Sequence, residues 1–197
     1  MLPAEHLQGR RGSAPGTHRR LLLTKSLVLV ARSSRKLQTG HAVPDFYLPA
    51  INGEMVHLWD CLVEGPVLIE FMRGTWCPNA RKRLRELAEA RERFRALWTR
   101  ILVLVCEDPF TVQRFFERQP SPLTVLMDTD RTAARDYGVH VRLGLEGWNI
   151  ARPSSFLVDR AGYLRHIFVS RLQTETCPLD TIDEAIRGFE SERENPG

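Results

Sequence analysis

The most informative segment of the sequence combines an apolar run, a tight turn and a proline-initiated helix, with one cysteine at the junction. It reads Val67-Leu68-Ile69-Glu70-Phe71-Met72-Arg73-Gly74-Thr75-Trp76-Cys77-Pro78-Asn79-Ala80. The run 67–72 is typical of a strand buried on both faces. Pro78 suits a first helical turn, because its missing N–H would be unpaired there in any case. Cys77 is therefore expected at the positive end of a helix, which favours the thiolate, the nucleophilic form of the side chain.

The composition fits one globular domain with a basic extension. The chain has 197 residues, of which 43% are hydrophobic, as expected of a domain with a buried core. Residues 1–40 hold eight Lys or Arg and one acid, a net charge of +7, which leaves −3 for the rest of a chain whose total is +4. The domain is thus mildly acidic, and its charge does not indicate nucleic-acid binding. We predict a basic, disordered extension over residues 1–38, a domain over 39–190 and a frayed tail over 191–197.

The extension allows two interpretations. The apolar clusters 21–23 and 27–31 follow Arg19-Arg20, an order that resembles an export signal. They are short, separated by Lys25, and followed by basic residues rather than a small-residue cleavage site. We therefore favour a cytoplasmic protein over an exported one. No run reaches the ~18 apolar residues of a membrane helix, so no membrane partner is expected.

Periodicity and turn residues predict the remaining elements. They are a hairpin turning at Asn52-Gly53, a helix over Pro78–Trp98, a strand over Ile101–Cys106, a helix over Phe110–Arg118, a strand over Leu123–Leu126, a helix over Arg131–Tyr137, a connection over 139–152, a hairpin turning at 159–162 and a helix over Leu179–Phe189. Strands that alternate with helices indicate an α/β fold with a mostly parallel sheet and helices on both faces. The terminal hairpins make the sheet mixed, and the first is an N-terminal β-hairpin.

The four cysteines, Cys61, Cys77, Cys106 and Cys177, form no C-x-x-C pair. Their number and spacing argue against a disulfide scaffold and against a ribbon-type zinc site, which needs paired ligands. No glycine-rich loop follows a strand in the dinucleotide-binding pattern. We therefore expect no metal and no cofactor.

Four segments occur in order over residues 40–188. They are Ala42-Val43-Pro44-Asp45-Phe46 with Asn52-Gly53, Phe71-Met72-Arg73-Gly74-Thr75-Trp76-Cys77-Pro78, residues 105–109, and Pro153-Ser154-Ser155-Phe156-Leu157-Val158-Asp159-Arg160-Ala161-Gly162. Together they resemble the redoxin group of the thioredoxin fold, the alkyl hydroperoxide reductase and thiol-specific antioxidant proteins, or peroxiredoxins. The resemblance implies a thioredoxin-like, three-layer α/β/α domain.

The resemblance also implies an activity. A protein of this group is a thiol-based antioxidant oxidoreductase that reduces hydrogen peroxide or organic hydroperoxides through one redox-active cysteine. Its reductant is thioredoxin or a low-molecular-weight thiol, it uses no metal, haem, flavin or nicotinamide, and it can form a homodimer. The alternatives are a single-cysteine thiol–disulfide exchange protein, or a redox-sensing or interaction module without catalysis on the same fold.

Carried onto this sequence, the family's pattern makes Cys77 the redox-active cysteine and Pro153 a cis-proline beside it. Arg152 and Arg73 are expected to direct guanidinium groups at the thiolate and to orient a peroxide, since cations stabilise a thiolate and the leaving oxygen.

The sequence departs from the pattern at several positions. Ala80 replaces the second cysteine of one subgroup, so a dithiol within the motif is excluded. Gly74 and Glu70 replace the Thr or Ser and the Pro of standard peroxiredoxins, and Thr75 carries the nearest hydroxyl.

Glu70 itself has two interpretations. Facing inward, this acid in an apolar strand would be driven toward its neutral form and suited to proton transfer during thiol exchange. Facing outward, it would pair with an arginine. The basic residues Arg81, Lys82, Arg83 and Arg85 crowd the first two turns of the helix that follows Cys77. Either Arg81 or another of them helps to hold an anion near Cys77, or they form a solvated basic face.

Two cysteines are candidates for resolving an oxidised Cys77. Cys106 ends the strand after the first helix and is expected at the same carboxyl edge of the sheet as Cys77. Cys177 lies in the loop after the last strand, from which it could act within or between chains. Either could form a disulfide with a sulfenic acid, or be a packed core cysteine.

Overall fold

The computed structural model describes residues 36–144, 147–172 and 175–194. The predicted disordered extension over residues 1–38 therefore lies almost entirely outside the described residues, as do the last three residues of the predicted tail. Among the described residues, no helix has the length and apolar character needed to cross a membrane.

The described chain forms strands and helices that alternate through most of its length. In order they are β1 Tyr47–Pro49, β2 Met55–His57, α1 Leu58–Glu64, β3 Val67–Met72, α2 Pro78–Ala96, β4 Arg100–Val105, α3 Pro109–Arg118, β5 Thr124–Met127, α4 Thr132–Asp136, β6 His140–Gly144, β7 Gly147–Ala151, β8 Ser154–Val158, β9 Leu164–Val169 and α5 Leu179–Glu194.

A five-stranded mixed sheet has the strand order β5-β4-β3-β8-β9. Strands β3, β4 and β5 run parallel, whereas β8 is antiparallel to β3 and β9 is antiparallel to β8. All six residues of β3 are buried, as expected of a central strand with covered faces. The predicted α/β class with a mixed central sheet is confirmed, and so is the N-terminal hairpin, β1–β2.

The two faces of the sheet carry separate hydrophobic clusters. Ile69 and Phe71 of β3 pack with α1 and α4 on one face, whereas Leu68 and Met72 pack with α2, α3 and α5 on the other. This alternation follows from the period of two along a strand. The result is the predicted three-layer α/β/α arrangement, and it assigns each functional side chain to one face.

The sequence analysis missed one helix and one hairpin, and it misplaced the end of the final helix. Helix α1 is only seven residues long and leaves Val63 80% exposed, so its apolar pattern is too short to stand out. The predicted connection over 139–152 contains the hairpin β6–β7, a two-stranded sheet separate from the central one. The final helix continues to Glu194 rather than ending at Phe189, so the predicted frayed tail starts too early.

Candidate active site

Cys77 lies where the sequence predicts it, between β3 and the first turn of α2. It is the N-cap residue of α2, with Pro78 at the first helical position. Its backbone N–H donates to the Gly74 carbonyl at 3.2 Å, and its carbonyl accepts from the Arg81 N–H at 3.0 Å. The side chain is buried, at 4% exposure. The cysteine therefore occupies the positive end of a 19-residue helix, where negative charge is favoured.

A small cavity of about 20 Å³ opens beside Cys77. That volume holds roughly one water-sized molecule. The charged side chains and thiols that line it come from β3, from the loop between β3 and α2, from α2 and from the segment before α5. These residues are Glu70, Arg73, Cys77, Arg83, Glu175 and Cys177. The site thus combines two thiols with two guanidinium groups.

Glu70 faces this cavity and is 3% exposed. Arg83 of α2 donates from Nε to Glu70 Oε1 at 2.8 Å and from Nη2 to Oε2 at 3.3 Å. Ser155 of β8 donates from Oγ to Oε2 at 2.6 Å. The carboxylate therefore has hydrogen-bond donors on both oxygens, which a buried charge requires.

The two interpretations of Glu70 are thus combined in one geometry. The side chain faces inward and is also paired with an arginine. Both features occur together because the partner, Arg83, is itself only 4% exposed. Burial lowers the pKa of Arg83, but the charge and hydrogen bonds of Glu70 outweigh this and raise it above its ordinary value. Arg83 is therefore a permanent cation at the cavity.

The loop between β3 and α2 is held by contacts at Thr75. The Thr75 backbone N–H donates to Glu107 Oε2 at 2.5 Å, and its carbonyl accepts from Arg81 Nε. Arg81 also lies over the Phe115 ring, with Cζ 5.2 Å from the centroid. Arg81 therefore positions the loop, whereas Arg83 is the helix cation that lines the cavity.

Packing of Trp76 explains the glycine at position 74. Gly74 has a φ of +155°, and an added Cβ would lie 2.4 Å from Trp76 Nε1. A threonine at position 74 would therefore displace the indole. The same indole ring lies under Arg73, whose Cζ is 5.0 Å from the ring centroid, a favourable cation–π distance. Arg73 is 5% exposed and lines the cavity, in agreement with its predicted position.

Arg152 and Pro153 differ from their expected arrangement. The Arg152–Pro153 peptide bond is trans, so the predicted cis-proline was wrong. Trans is the commoner form before proline. Pro153 does line the cavity with Cys77. Arg152 is exposed, lies outside that lining, and donates its backbone N–H to the Val139 carbonyl at 2.8 Å.

The two candidate resolving cysteines lie on opposite faces of the sheet. Cys177 belongs to the same hydrophobic cluster as Cys77, and both line the cavity. Cys106 belongs to the cluster on the other face. Its Sγ donates to Asp128 Oδ2 at 3.6 Å. Burial, followed by the charge and hydrogen bond of Asp128, raises the pKa of Cys106 far above its ordinary value.

The sequence analysis singled out Arg83 only as one of four basic residues at the start of α2, and it gave Ser155 no role. Arg83 carries a detectable signal, because it falls on the same helical stripe as the buried Ala80, Leu84 and Leu87. An arginine on an apolar stripe indicates a buried partner. Ser155 carries no such signal, since its contact with Glu70 depends on the pairing of β8 with β3.

The fold and the site together define a thioredoxin-fold protein with a cysteine at the β3–α2 junction. Peroxidoxin BcpB from Mycobacterium tuberculosis superposes with a TM-score of 0.65 at 21% identity, covering 79% of this chain and 97% of that one. The reduced 2-Cys peroxiredoxin of Plasmodium vivax gives a TM-score of 0.70 at 18% identity, covering 81% and 86%. These likenesses establish the predicted thioredoxin fold.

Sequence comparison identifies the family. The profile of the AhpC/TSA family matches residues 39–167. Peroxiredoxin Bcp of Escherichia coli (strain K12) is 26% identical over 134 residues, 67% of this chain and 85% of the relative. Thiol-disulfide oxidoreductase ResA of Bacillus subtilis (strain 168) is 26% identical over 155 residues, 78% of this chain and 79% of the relative. The chain belongs to the AhpC/TSA family, and the predicted class of peroxiredoxin-like oxidoreductase is confirmed.

Proposed function

We propose that the protein reduces hydrogen peroxide with the Cys77 thiolate as the nucleophile. The observation that carries the proposal is the burial of Cys77 at a helix N-terminus, in one cavity with Arg73 and Arg83. The sulfur attacks one peroxide oxygen, so that an S–O bond forms and the O–O bond breaks. The leaving hydroxide takes up a proton and becomes water, and Cys77 becomes a sulfenic acid.

The two cavity cations support this step electrostatically. Negative charge moves from the sulfur to the leaving oxygen during the attack. Guanidinium groups fixed beside that path stabilise the charge without having to reorganise. Arg73 is held over Trp76, and Arg83 is held by Glu70. Both donors are therefore positioned before the peroxide arrives.

The size of the cavity favours hydrogen peroxide over a bulky organic hydroperoxide. Its volume of about 20 Å³ holds roughly one water-sized molecule. A long alkyl chain would require the surrounding side chains to move. Comparison of hydrogen peroxide with cumene hydroperoxide tests this, and comparable second-order rate constants for the two would refute the size argument.

Cys177 is the better candidate for the resolving cysteine. It shares the cavity with Cys77, whereas Cys106 lies on the opposite face of the sheet and donates to Asp128. Attack of the Cys177 sulfur on the sulfenic acid gives a disulfide and water. An external dithiol such as thioredoxin, or a small thiol, then restores both thiols by exchange. A cytoplasmic location, where such thiols stay reduced, fits this cycle.

Stopped-flow kinetics with reduced protein tests the proposal. We expect peroxide consumption far faster than that of free cysteine in the wild type, and its loss in Cys77→Ser. The matched control is Cys61→Ser, another buried cysteine, which should keep the wild-type rate. A wild-type rate no better than that of free cysteine would refute the peroxidase proposal.

Two further variants test the resolving cysteine. With no external thiol present, Cys177→Ser should accumulate the sulfenic acid at Cys77 after one addition of hydrogen peroxide, because no second thiol can displace its oxygen. Under the same conditions Cys106→Ser should form the disulfide at the wild-type rate. Disulfide formation that depends on Cys106 and not on Cys177 would reverse the assignment.

Thiol–disulfide exchange is the second candidate function. The similarity to ResA, which is named a thiol-disulfide oxidoreductase, and the shared cavity of Cys77 and Cys177 favour it. Rapid reduction of a disulfide-bonded substrate by the reduced protein, together with slow peroxide consumption, would establish exchange as the main activity.

A further inference from the structure

Cys177 contacts a histidine that the reaction described so far does not use. Its Sγ lies 3.3 Å from Nε2 of His166. His166 is in the middle of β9, opposite Leu157 of β8 in the sheet register. Cys177 follows β9 in the segment 175–178, just before α5 begins at Leu179. The contact joins the last strand to the segment that enters the final helix, at the edge of the Cys77 cavity.

Three charged or titratable groups face the Cys177 sulfur. They are His166 from β9, Arg83 from α2 and Glu70 from β3. Burial raises the pKa of Cys177 to about 11, with Arg83 opposing the shift and Glu70 adding to it. Burial also lowers the pKa of His166 below its ordinary value. At neutral pH the contact therefore joins a neutral thiol and a neutral imidazole.

The neutral form of the Cys177 thiol limits disulfide formation. A thiol must lose its proton to become a nucleophile, and few Cys177 side chains are ionised at neutral pH. A base in direct contact can remove the proton as the attack proceeds. Glu70 is poorly suited, because Arg83 and Ser155 already donate to both of its oxygens. The imidazole of His166 is in contact with the sulfur, and with its proton on Nδ1 it presents Nε2 as an acceptor.

We propose that His166 is the general base of the resolving step, which accepts the Cys177 thiol proton while Cys177 attacks the oxidised Cys77 sulfur. This inference rests on the proposed peroxidase function. The S–S bond forms as the S–O bond of the sulfenic acid breaks. The departing hydroxide recovers the proton from the His166 imidazolium, so the products are a disulfide, water and neutral imidazole. The step consumes no further oxidant or reductant.

Rapid-quench kinetics separates this step from peroxide reduction. The reduced protein is mixed with hydrogen peroxide, trapped with dimedone at successive times, and analysed by mass spectrometry for sulfenic acid and disulfide. In the wild type, the rate of disulfide formation should stay level between about pH 7 and pH 9. In His166→Gln it should fall by about 100-fold at pH 7. It should then rise about tenfold per pH unit, since the thiol must ionise unaided. His140→Gln, a change at another histidine on β6, is the matched control and should behave as the wild type.

The outcomes distinguish the role of His166 from peroxide reduction at Cys77. A wild-type rate that rises tenfold per pH unit would overturn the role of His166, and this needs no variant at all. A His166→Gln protein that forms the disulfide within about twofold of the wild-type rate, with the same pH profile, would also overturn it. Formation of the sulfenic acid with no disulfide to Cys177 would refute the inference and leave peroxide reduction intact. If Cys177→Ser forms no sulfenic acid at Cys77, the proposed function itself fails.

Discussion

Replacement of Glu70 by glutamine tests the buried ion pair that borders the cavity. The side chains of Glu70 and Arg83 are each 4% exposed, and their closest N–O distance is 2.8 Å. Glutamine keeps the shape and some hydrogen bonds but removes the negative charge. Arg83 is then left as a buried cation without its anion, and such a loss destabilises a protein by about 3–5 kcal/mol. For a chain of this size, that lowers the midpoint of thermal unfolding by roughly 6–20 °C.

The matched control is the same change in an exposed ion pair. Arg95 donates from Nε to Glu92 Oε2 at 2.8 Å, but the two side chains are 75% and 61% exposed. Glu92→Gln should therefore reduce the free energy of unfolding by less than about 1 kcal/mol. In urea titrations at pH 7, the double variant Glu70→Gln/Arg83→Met should recover much of the stability lost in Glu70→Gln, because it removes both charges. Equal losses in Glu70→Gln and Glu92→Gln would refute this account of the pair.

Two predictions concern stability elsewhere in the fold. Asp128 is fully buried and accepts the Ala133 and Ala134 backbone N–H groups at 3.1 and 2.8 Å, so Asp128→Ala should lower the free energy of unfolding by about 3 kcal/mol. The exposed Asp130 accepts hydrogen bonds from Thr132, and Asp130→Ala should lower the free energy of unfolding by only about 1 kcal/mol. Equal losses of unfolding free energy for the two variants in urea titrations would contradict this difference. Burial lowers the pKa of His166, so below about pH 6.5 the unfolded chain binds a proton there that the folded chain does not. The stability advantage of the wild type over His166→Gln should therefore be complete above pH 6.5 and decrease as the pH falls, and an advantage that grows on acidification would show the opposite sign.

Local patterns were sufficient to predict the elements that position Cys77. The continuous apolar run of β3 and the Cys77-Pro78 start of α2 depend on neighbours in sequence. The hairpin β6–β7 was missed because its strands form a sheet of their own and Leu143 is 84% exposed. Such a hairpin shows little of the burial pattern from which strands are predicted.

The faces of the sheet were harder to predict than its edges. Cys106 does follow β4 at the predicted edge, but it packs with Leu102 and Leu104 and not with Val103 and Val105. Successive side chains along a strand point to opposite faces of the sheet, so Cys106 lies on the face opposite to that of Cys77. The partners of Glu70 and Cys177 depend on the rotation of α2 and on the path of the chain after β9. Neither is encoded in a local pattern. The apolar stripe of α2 indicates that Arg83 is buried but not which residue it pairs with, and the contact of His166 with Cys177 emerges only from the folded arrangement.

Identification of the first cysteine to be oxidised is the sharpest test of whether Cys77 is the thiol that reacts with peroxide. The Cys177→Ser protein, fully reduced, is mixed with an equimolar amount of hydrogen peroxide in the presence of dimedone, and the labelled peptides are mapped by mass spectrometry. We expect the label to appear on Cys77 within the time of peroxide consumption, and Cys61 and Cys106 to remain thiols. Label on Cys61 or Cys106 with Cys77 unmodified would contradict this expectation.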